Sequence, residues 1–338
     1  MRKLATIRKI DELRPIADAD AIECAVVGGW TVVTKKGEYA VGDLAVYCEI
    51  DSWMPSALAP FLSKGQAPRV FDNIPGERLR TVKLRGQLSQ GLLLPYATVG
   101  RIAYEGEDVS ELLGIIKYDP PVPAHLAGEV RGLFPTFIPK TDQERIQNLS
   151  AEFAQWQADK QTWEVTEKLD GSSMTVYVNG DDHGVCSRNL NLKDTESNTL
   201  WKVAHRDQII TAIIESKRNL AVQGEIVGEG IQGNPYKIKG QSFYIFDIYD
   251  IDARQYFKPR ERNEFCELYE LLHVPVVAFN AEPYDTLGIV TIADMLKFAE
   301  GKSYLNDQTE REGVVFKAHS LDQSFKAISN RFLLKSKD

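Results

Sequence analysis

Short runs of alternating apolar and polar residues, separated by turns, occupy much of this chain and set the kind of fold it can adopt. After residue 160 these runs include TWEVTEK, SMTVYV, LAVQGEIVG and SFYIFDIYD, while SNTLWKVAHRDQIITAIIESK and NEFCELYELLH have helical periodicity. Strands outnumber helices and often follow one another directly, which is typical of antiparallel sheets rather than of a doubly wound parallel sheet. The sequence therefore predicts an α+β fold built on antiparallel sheets.

The first third of the chain reads as a separate unit of strands. Residues 25–50 alternate and turn at Gly28-Gly29, Lys36-Gly37 and Gly42-Asp43, as hairpins require. Five or so short strands within about 115 residues suggest a small barrel, and the OB-fold is the commonest small barrel that binds oligonucleotides. The segment EDVSELLG, at residues 107–114, follows these strands and is predicted to be helical. The proline-rich segment YDPPVPAHLAGEV then marks a boundary around residues 118–130. We predict an OB-like β-barrel in residues 1–120 and a second domain in residues 130–338.

The composition and the cysteine pattern exclude several classes of protein. Hydrophobic residues make up 43% and charged residues 26% of the chain, which is typical of globular rather than disordered or fibrous proteins. No stretch approaches the roughly 18 apolar residues of a spanning helix, and the first residues lack the core of a signal peptide. The four cysteines form no C-x-x-C pair, which argues against a disulfide framework or a structural zinc site. We expect a cytoplasmic, monomeric protein with no membrane partner.

A local basic run stands out against the net charge of −8. Residues 78–101 contain no acid and carry Arg78, Arg80, Lys83 and Arg85 close together. Such a run is a candidate nucleic-acid-binding surface, because polyanions are held by clustered lysine and arginine. Its alternative explanation is a solvated strand face.

The most informative segment is Lys168-Leu169-Asp170-Gly171, which lies between two predicted strands. Taken alone it is explained by a hairpin turn, since Asp-Gly is a strong turn dipeptide and the lysine would be a solvated flank. Five further motifs follow it, each on or beside a predicted strand: Ser187-Arg188-Asn189, Gly224-Glu225, Phe246-Asp247-Ile248, the EGVVFK segment at 312–317 and Phe325-Lys326.

This series resembles the collinear motifs I, Ia, III, IIIa, IV and V of the covalent nucleotidyltransferases, which include ATP-dependent DNA and RNA ligases and mRNA capping enzymes. The resemblance covers residues 140–335. DNA ligases and capping enzymes carry their OB module after motif V. Here an OB-like module with ERLRTVKLRGQLSQGLLLP comes first, and PKTDQERIQN follows it before motif I. That order is similar to the Deinococcus-type RNA ligases, so the second domain is expected to be an antiparallel-sheet nucleotidyltransferase domain.

The resemblance implies an ATP-dependent RNA ligase that seals 3′-hydroxyl/5′-phosphate breaks through lysyl-adenylate and RNA-adenylate intermediates. The implied substrate is a nicked RNA or RNA-containing duplex with RNA at the 3′-hydroxyl side, and the implied cofactors are ATP with Mg²⁺ or Mn²⁺. The implied catalytic residues are Lys168, Glu312 and Lys326. The implied metal carboxylates are Asp170, Glu225 and Glu312, and the implied nucleotide-binding residues are Lys140, Arg145, Glu167, Lys168, Arg188, Glu225, Phe246, Glu312 and Lys326.

Several of these assignments have structural alternatives. Phe246 would stack on adenine or belong to the core, because it lies in an aromatic run. The alternative for Glu225 and Glu312 is that they are ordinary acidic residues at strand ends. The glycine beside each of them favours a functional role, because it permits close approach of a ligand. Lys140 and Arg145, at the start of a helix predicted from Thr141 to Trp156, would grip the triphosphate or be surface residues. Related RNA ligases often carry a second motif V lysine, a role open here to Lys317 or Lys335.

The chemistry sets a requirement on the nucleophile. A lysine amine attacks the α-phosphorus of ATP only when neutral, and its ordinary pKa is about 10.4. We therefore expect the site to lower the pKa of Lys168 through nearby cations or through desolvation, with Lys326 and a bound metal as the positive neighbours.

Two rival functions remain open. DNA ligation uses the same chemistry, and a nick series with RNA or DNA on either side separates it from RNA ligation. A non-catalytic nucleic-acid-binding protein, with an OB module and a decayed transferase domain, is the rival from another class. Intact Lys168, Glu225, Glu312 and Lys326 argue against decay.

Overall fold

The structure is a computed structural model that describes residues 3–119, 129–320 and 322–335. Its contacts divide the chain into two compact units, residues 1–121 with 333–338 and residues 122–332. The boundary predicted around residues 118–130 falls mostly on residues 120–128, which lie outside the described residues. Among the described helices, none is long and apolar enough to cross a membrane. All four cysteines are buried and free.

The N-terminal unit is built from short strands that form small antiparallel sheets. The sheet orders are β1-β5-β11, β2-β3-β4 and β12-β6-β8-β7, and β9 and β10 form a two-stranded ribbon. The strands are β1 (Ala5–Lys9), β2 (Glu12–Pro15), β3 (Ile22–Val27), β4 (Trp30–Lys35), β5 (Leu44–Cys48), β6 (Ser52–Pro55), β7 (Arg69–Phe71), β8 (Ile74–Arg78), β9 (Val82–Leu84), β10 (Gln87–Ser89), β11 (Leu92–Pro95) and β12 (Ile116–Lys117).

Strand β5 lies at the centre of this unit because it is buried on both faces. Val46 and Cys48 pack into one apolar cluster, while Ala45 and Tyr47 pack into a second cluster with Trp30. Strand β5 therefore lies between two apolar layers. The short, directly connected strands of this unit agree with the strand-rich N-terminal part predicted from the sequence.

One predicted helix in this unit is wrong. The segment EDVSELLG (residues 107–114) has helical periodicity, but it forms turns that lie along β1. Ile7 N donates to Glu107 O at 3.0 Å and Val109 N donates to Ala5 O at 2.9 Å. Because pairing with β1 satisfies these backbone groups, tertiary contacts override the local helical pattern.

The second unit contains two larger sheets. One has the order β13-β18-β17-β16-β19-β20-β21 and the other has the order β14-β24-β23-β15-β22. The strands are β13 (Val130–Leu133), β14 (Glu144–Arg145), β15 (Trp163–Lys168), β16 (Ser172–Asn179), β17 (Asp182–Cys186), β18 (Leu190–Leu192), β19 (Leu220–Gly228), β20 (Gln241–Asp250), β21 (Gln255–Tyr256), β22 (Val276–Ala281), β23 (Gly313–Ala318) and β24 (Ser324–Ile328).

Helices cover the outer faces of these two sheets. Residues of α2, α3 and α4 share an apolar cluster with Met174, Val176 and Val222, and residues of α1 and α6 share another with Trp163, Val165 and Phe316. The opposite faces of β15 and β19 carry Glu164, Lys168 and Glu225, and the space beside these side chains is called the cleft below. The helices are α1 (Ser150–Ala158), α2 (Thr199–Arg206), α3 (Ile209–Glu215), α4 (Pro259–Leu268), α5 (Pro283–Leu287), α6 (Ile292–Ala299) and α7 (Asn330–Lys335).

The helix predicted from Thr141 begins later, at Ser150. Before it, Glu144 and Arg145 form β14, which pairs in parallel with Phe325 and Lys326. Arg145 therefore lies beside the final motif lysine, on a strand rather than on a helix. The long helix predicted over 197–217 is also interrupted, because Gln208 adopts a φ of 53° between α2 and α3.

Candidate active site

Lys168 is the last residue of β15, and Glu312 directly precedes the neighbouring strand β23. Lys168 pairs in register with Gly313, which places the two charged side chains at the same edge of the sheet. Lys168 Nζ donates to Glu312 Oε2 at 2.6 Å, and the two side chains are 26% and 17% exposed. The residues predicted for motifs I and IV therefore meet as an ion pair that solvent can still reach.

Glycine allows the K-x-D-G turn to lie against the other sheet. Gly171 N donates to Glu225 Oε1 at 3.1 Å. A Cβ on Gly171 would lie 2.4 Å from the carbonyl oxygen of Ile226 and 2.9 Å from Glu225 Cγ. Only glycine therefore fits at this position without moving Glu225 and its neighbours on β19.

Neighbouring carboxylates raise the pKa of the lysine, and burial raises the pKa of one of these carboxylates. Burial acts to lower the pKa of Lys168, but Glu312 and then Glu225 outweigh it, so its pKa lies above the ordinary value. Burial raises the pKa of Glu225 to about 7, against the opposing effect of Lys168. The expected lowering of the Lys168 pKa is therefore wrong for the protein without ligands, because carboxylates are its nearest charged neighbours.

The predicted metal carboxylates suit a hydrated cation better than a direct cage. Within the described ranges, no group of three or more His, Cys, Asp or Glu side chains is placed to hold a metal ion. Asp170, Glu225 and Glu312 nevertheless all act on the same lysine amine. Oxygen ligands that surround a site without closing it fit Mg²⁺ or Mn²⁺, and Mg²⁺ in particular keeps several waters. The residues present therefore fit a divalent cation held largely through water.

Strand register places Lys326 on the same face as Lys168. Lys168 pairs with Gly313, and two residues further along β23 Val315 pairs with Lys326. Residues two apart on a strand share a face, so the two lysines point into the cleft one row apart. On the other side of β24, Arg145 of β14 pairs with Lys326. Arg145 therefore adds a further positively charged residue beside the two lysines.

Phe246 reaches the cleft through an irregularity in β20. Gln223 pairs with Asp247 and Gly224 with Ile245, which leaves Phe246 as the extra residue of a β-bulge. Bulges re-aim a side chain and are common beside active sites. The ring is half-buried and packs against the cluster that contains Leu169. Phe246 is therefore neither a regular core aromatic nor fully exposed.

Lys317, an alternative for the second motif V lysine, is buried and already engaged. Its ammonium pairs with Asp247 and donates to the carbonyl oxygen of Phe246. Burial lowers the pKa of Lys317 to about 8, although Asp247 acts in the opposite direction. Lys317 thus supports the Phe246 bulge. Lys335, the other alternative, is exposed at the end of α7.

Lys140 and Arg188 lie together at the edge of the cleft. They border one small pocket with Ser173, which pairs in register with Glu225. Lys140 Nζ donates to Asn189 Oδ1 at 2.9 Å, and Arg188 pairs with Asp142 at 2.8 Å. Both side chains are exposed, so a ligand could draw either of them into the cleft.

Glu167 does not join this group. Strand alternation turns its side chain to the opposite face of β15 from Lys168, where it is 1% exposed. Its Oε2 accepts from Tyr304 N at 2.8 Å, and burial raises the pKa of the carboxyl. Any part of Glu167 in nucleotide binding would be left to its backbone.

Two supporting features were not predicted from the sequence. Arg262 on α4 is fully buried, pairs with Glu164, and donates from Nε to His273 Nε2 at 2.8 Å. Tyr236 is 4% exposed, and its hydroxyl accepts from Asp170 N at 2.6 Å. The polar alternation of β15 gave a signal for Glu164, whereas nothing in the local sequence marks Tyr236.

The predicted nucleic-acid-binding residues all lie in the N-terminal unit. Arg78 is engaged, because it pairs with Asp51 at 2.5 Å and lies over the Tyr118 ring at 5.2 Å. Arg80, Lys83 and Arg85 are exposed.

Two models of known protein families match the chain. A family model described as RNA ligase matches residues 161–335, and an OB-fold domain model matches residues 4–96. No curated protein sequence matches the chain.

Three solved structures of Naegleria gruberi RNA ligase are each 48% identical to this chain. A mutant with AMP and Mn has a TM-score of 0.86 and covers 100% of both chains. Another mutant, with ATP and Mn, has a TM-score of 0.85 and covers 99% of each chain, and the ligase with PPi has a TM-score of 0.83 and covers 100% of each. The chain therefore belongs to the RNA ligase family, with an OB-fold domain followed by antiparallel sheets of the nucleotidyltransferase type.

Proposed function

We propose that this enzyme is an ATP-dependent RNA ligase in which Lys168 is the nucleophile. The observation that carries the proposal is the Lys168–Glu312 ion pair at the mouth of a cleft that also contains Glu225 and Lys326. The Naegleria relatives hold ATP, AMP, PPi and Mn, which are the substrate, products and metal that such a site would use.

The proposed reaction has three steps. Lys168 Nζ attacks the α-phosphorus of ATP, a nitrogen–phosphorus bond forms, and pyrophosphate leaves. An oxygen of the RNA 5′-phosphate then attacks the same phosphorus and releases the lysine, which gives RNA-adenylate. Finally the 3′-hydroxyl attacks the 5′-phosphate and AMP leaves, so the strand is joined.

The charges of the site explain why the first step needs a metal. Glu312 and Glu225 hold the lysine protonated, and a protonated amine cannot attack. A divalent cation bound through water to these carboxylates would offset their charge and favour the neutral amine. Asp170, Glu225 and Glu312 are the carboxylates that would hold such a cation, which would supply positive charge where negative charge develops during the attack.

The remaining cleft residues are proposed to hold the nucleotide. Phe246 stacks on adenine from its bulge, and Lys326 contacts the α-phosphate because it shares a face with Lys168. Arg188 binds the ribose or a phosphate, and Glu225 accepts from a ribose hydroxyl or a metal water. Lys140 and Arg145 are the cations available for the triphosphate.

The proposed substrate is a nicked duplex with RNA at the 3′-hydroxyl side. We assign nucleic-acid binding to the OB-fold domain in residues 1–120 and adenylyl transfer to residues 130–338. We expect the enzyme to act as a cytoplasmic monomer.

A mixed series of nicked duplexes tests the substrate. RNA or DNA is placed on the 3′-hydroxyl side and, separately, on the 5′-phosphate side, and sealing with ATP and Mn²⁺ is measured. We expect sealing to depend on RNA at the 3′-hydroxyl side. Equal sealing of an all-DNA nick would contradict RNA specificity and support DNA ligation.

A further inference from the structure

Strands β9 and β10 form a ribbon whose geometry is set by a tight turn. Leu84 pairs with Gln87, so the loop contains only Arg85 and Gly86, with φ values of 50° and 82°. Two positive φ angles in a two-residue hairpin loop are the mark of a type I′ turn, which matches the twist of the strands. The tip of the ribbon is therefore well defined, and it carries an arginine.

The ribbon is anchored along β10 and open along β9. Leu88 and Ser89 are buried, and Ser89 Oγ accepts from Val33 N at 3.0 Å. By contrast all three residues of β9 are exposed, including Val82 at 46% and Leu84 at 42%. Strand β9 thus presents apolar side chains and Lys83 to solvent without a protein surface to cover them.

The cations of the ribbon differ from their neighbours in the basic run. Arg78 pairs with Asp51, and Arg101 pairs with Glu107. Within the described part of the chain, no ion pair or side-chain hydrogen bond involves Arg80, Lys83 or Arg85. Three exposed charges are therefore concentrated in a short, acid-free segment of a protein whose net charge is −8.

We propose that the β9–β10 ribbon binds the sugar–phosphate backbone of the duplex RNA substrate. Arg80, Lys83 and Arg85, which are all exposed, contact phosphates. The minor groove of A-form RNA is wide and shallow and displays its sugars, so a projecting ribbon can lie along it. The inference rests on the proposed ligase function and narrows its nucleic-acid surface, because it removes Arg78 from the contact set.

The test uses the full chain with Arg80→Gln, Lys83→Gln and Arg85→Asn combined. Asparagine is chosen at the turn because it tolerates positive φ. Binding of a nicked RNA duplex is measured as a function of salt. Each lost phosphate contact lowers the slope of log K against log[salt] by roughly 0.7 to 0.9, so the triple variant should lose about 2 to 3 in slope magnitude.

A matched control removes three other exposed lysines of the same unit, with Lys9→Gln, Lys35→Gln and Lys36→Gln. The control changes the net charge by the same amount as the ribbon variant. Its lysines lie outside the ribbon, so the slope of log K against log[salt] should stay close to that of the wild type. Thermal unfolding shows whether each variant is folded. If the triple variant does not fold, Lys83→Gln alone replaces it, with an expected slope change of roughly 0.7 to 0.9. A wild-type slope in the ribbon variant, or an equal loss in the control, would overturn the inference. If the wild-type chain fails to seal RNA at all, the proposed function fails instead.

Discussion

At the scale of single residues, the site depends on contacts that fix the K-x-D-G turn rather than on the lysine alone. Asp170 is held at its backbone by the hydroxyl of Tyr236, and Gly171 is held by Glu225. Both contacts come from the other sheet or from the loop that follows it. The turn is therefore positioned from outside its own hairpin, which a hairpin interpretation of the sequence does not predict.

Tyr236→Phe tests this positioning with a one-atom change. The ring would still pack with Leu169, Val227 and Val274, but the acceptor for Asp170 N would be lost. One hydrogen bond contributes about 0.5 to 1.5 kcal/mol, so we expect self-adenylation and sealing of a preadenylated strand each to slow by about 2- to 10-fold. Single-turnover rates for the two steps measure this.

Tyr244→Phe is the matched control, since Tyr244 packs at the same cluster and no described contact joins its hydroxyl to the turn. It should retain nearly wild-type rates. Equal rates for wild type and Tyr236→Phe would show that the hydroxyl does not position Asp170.

The raised pKa of Glu225 predicts a pH-dependent cost to stability. Its pKa is about 7 in the folded protein against an ordinary 4.5, so between these values the folded state binds more protons than the unfolded state. Stability from this group therefore falls as the pH rises from about 4.5 to 7. Glu225→Gln removes that dependence. The measurement is the unfolding temperature of the variant minus that of the wild type, in metal-free buffer. We expect this difference to increase from pH 4.5 to pH 8. A constant or decreasing difference would contradict the raised pKa of Glu225.

At the scale of elements, alternation predicted strands well, whereas periodicity found α2, α3 and α4 but also predicted helices where none forms. Strands β15, β19 and β20 lie close to where the sequence placed them, because burial of one face imposes a period of two. The helices predicted at 107–114 and 141–149 failed because those backbones pair with strands instead. Long-range pairing of this kind leaves no local signal.

Close approach of β23 and β24 gives a prediction for Gly313. A Cβ there would lie 2.2 Å from the carbonyl oxygen of Ala327 and 3.0 Å from Ile328 Cα. Gly313→Ala must push the strands apart and displace Glu312 and Lys326, which flank the contact. We expect a loss of about 1 to 3 kcal/mol in the free energy of unfolding, together with loss of self-adenylation.

Gly132→Ala provides the comparison, since a Cβ at Gly132 meets no atom within 4 Å and Gly132 also lies in a strand, β13. Urea unfolding of both variants measures the difference. Similar midpoints for the two variants would contradict the close-approach argument.

At the scale of the whole molecule, the site is assembled from parts far apart in the sequence. Lys168 and Glu312 are separated by 144 residues, and Gly171 and Glu225 by 54. Sequence spacing alone does not predict that these residues are neighbours. The collinear order of the motifs predicted it only through the resemblance to a family. The order of the two domains was readable in the same way, since the strand-rich third precedes the motifs. The raised pKa of Lys168 could not be anticipated, because it depends on which charges meet in three dimensions.

The central claim, that Lys168 becomes adenylated, is tested most directly by label transfer. The chain is incubated with α-labelled ATP and Mn²⁺, resolved on a denaturing gel, and the labelled peptide is mapped. We expect label on Lys168 of the wild-type chain and none in either variant. Lys168→Ala lacks the amine, and in Lys168→Arg the guanidinium stays protonated and cannot attack. Label that persists in either variant, or a wild-type chain that takes up none, would contradict it.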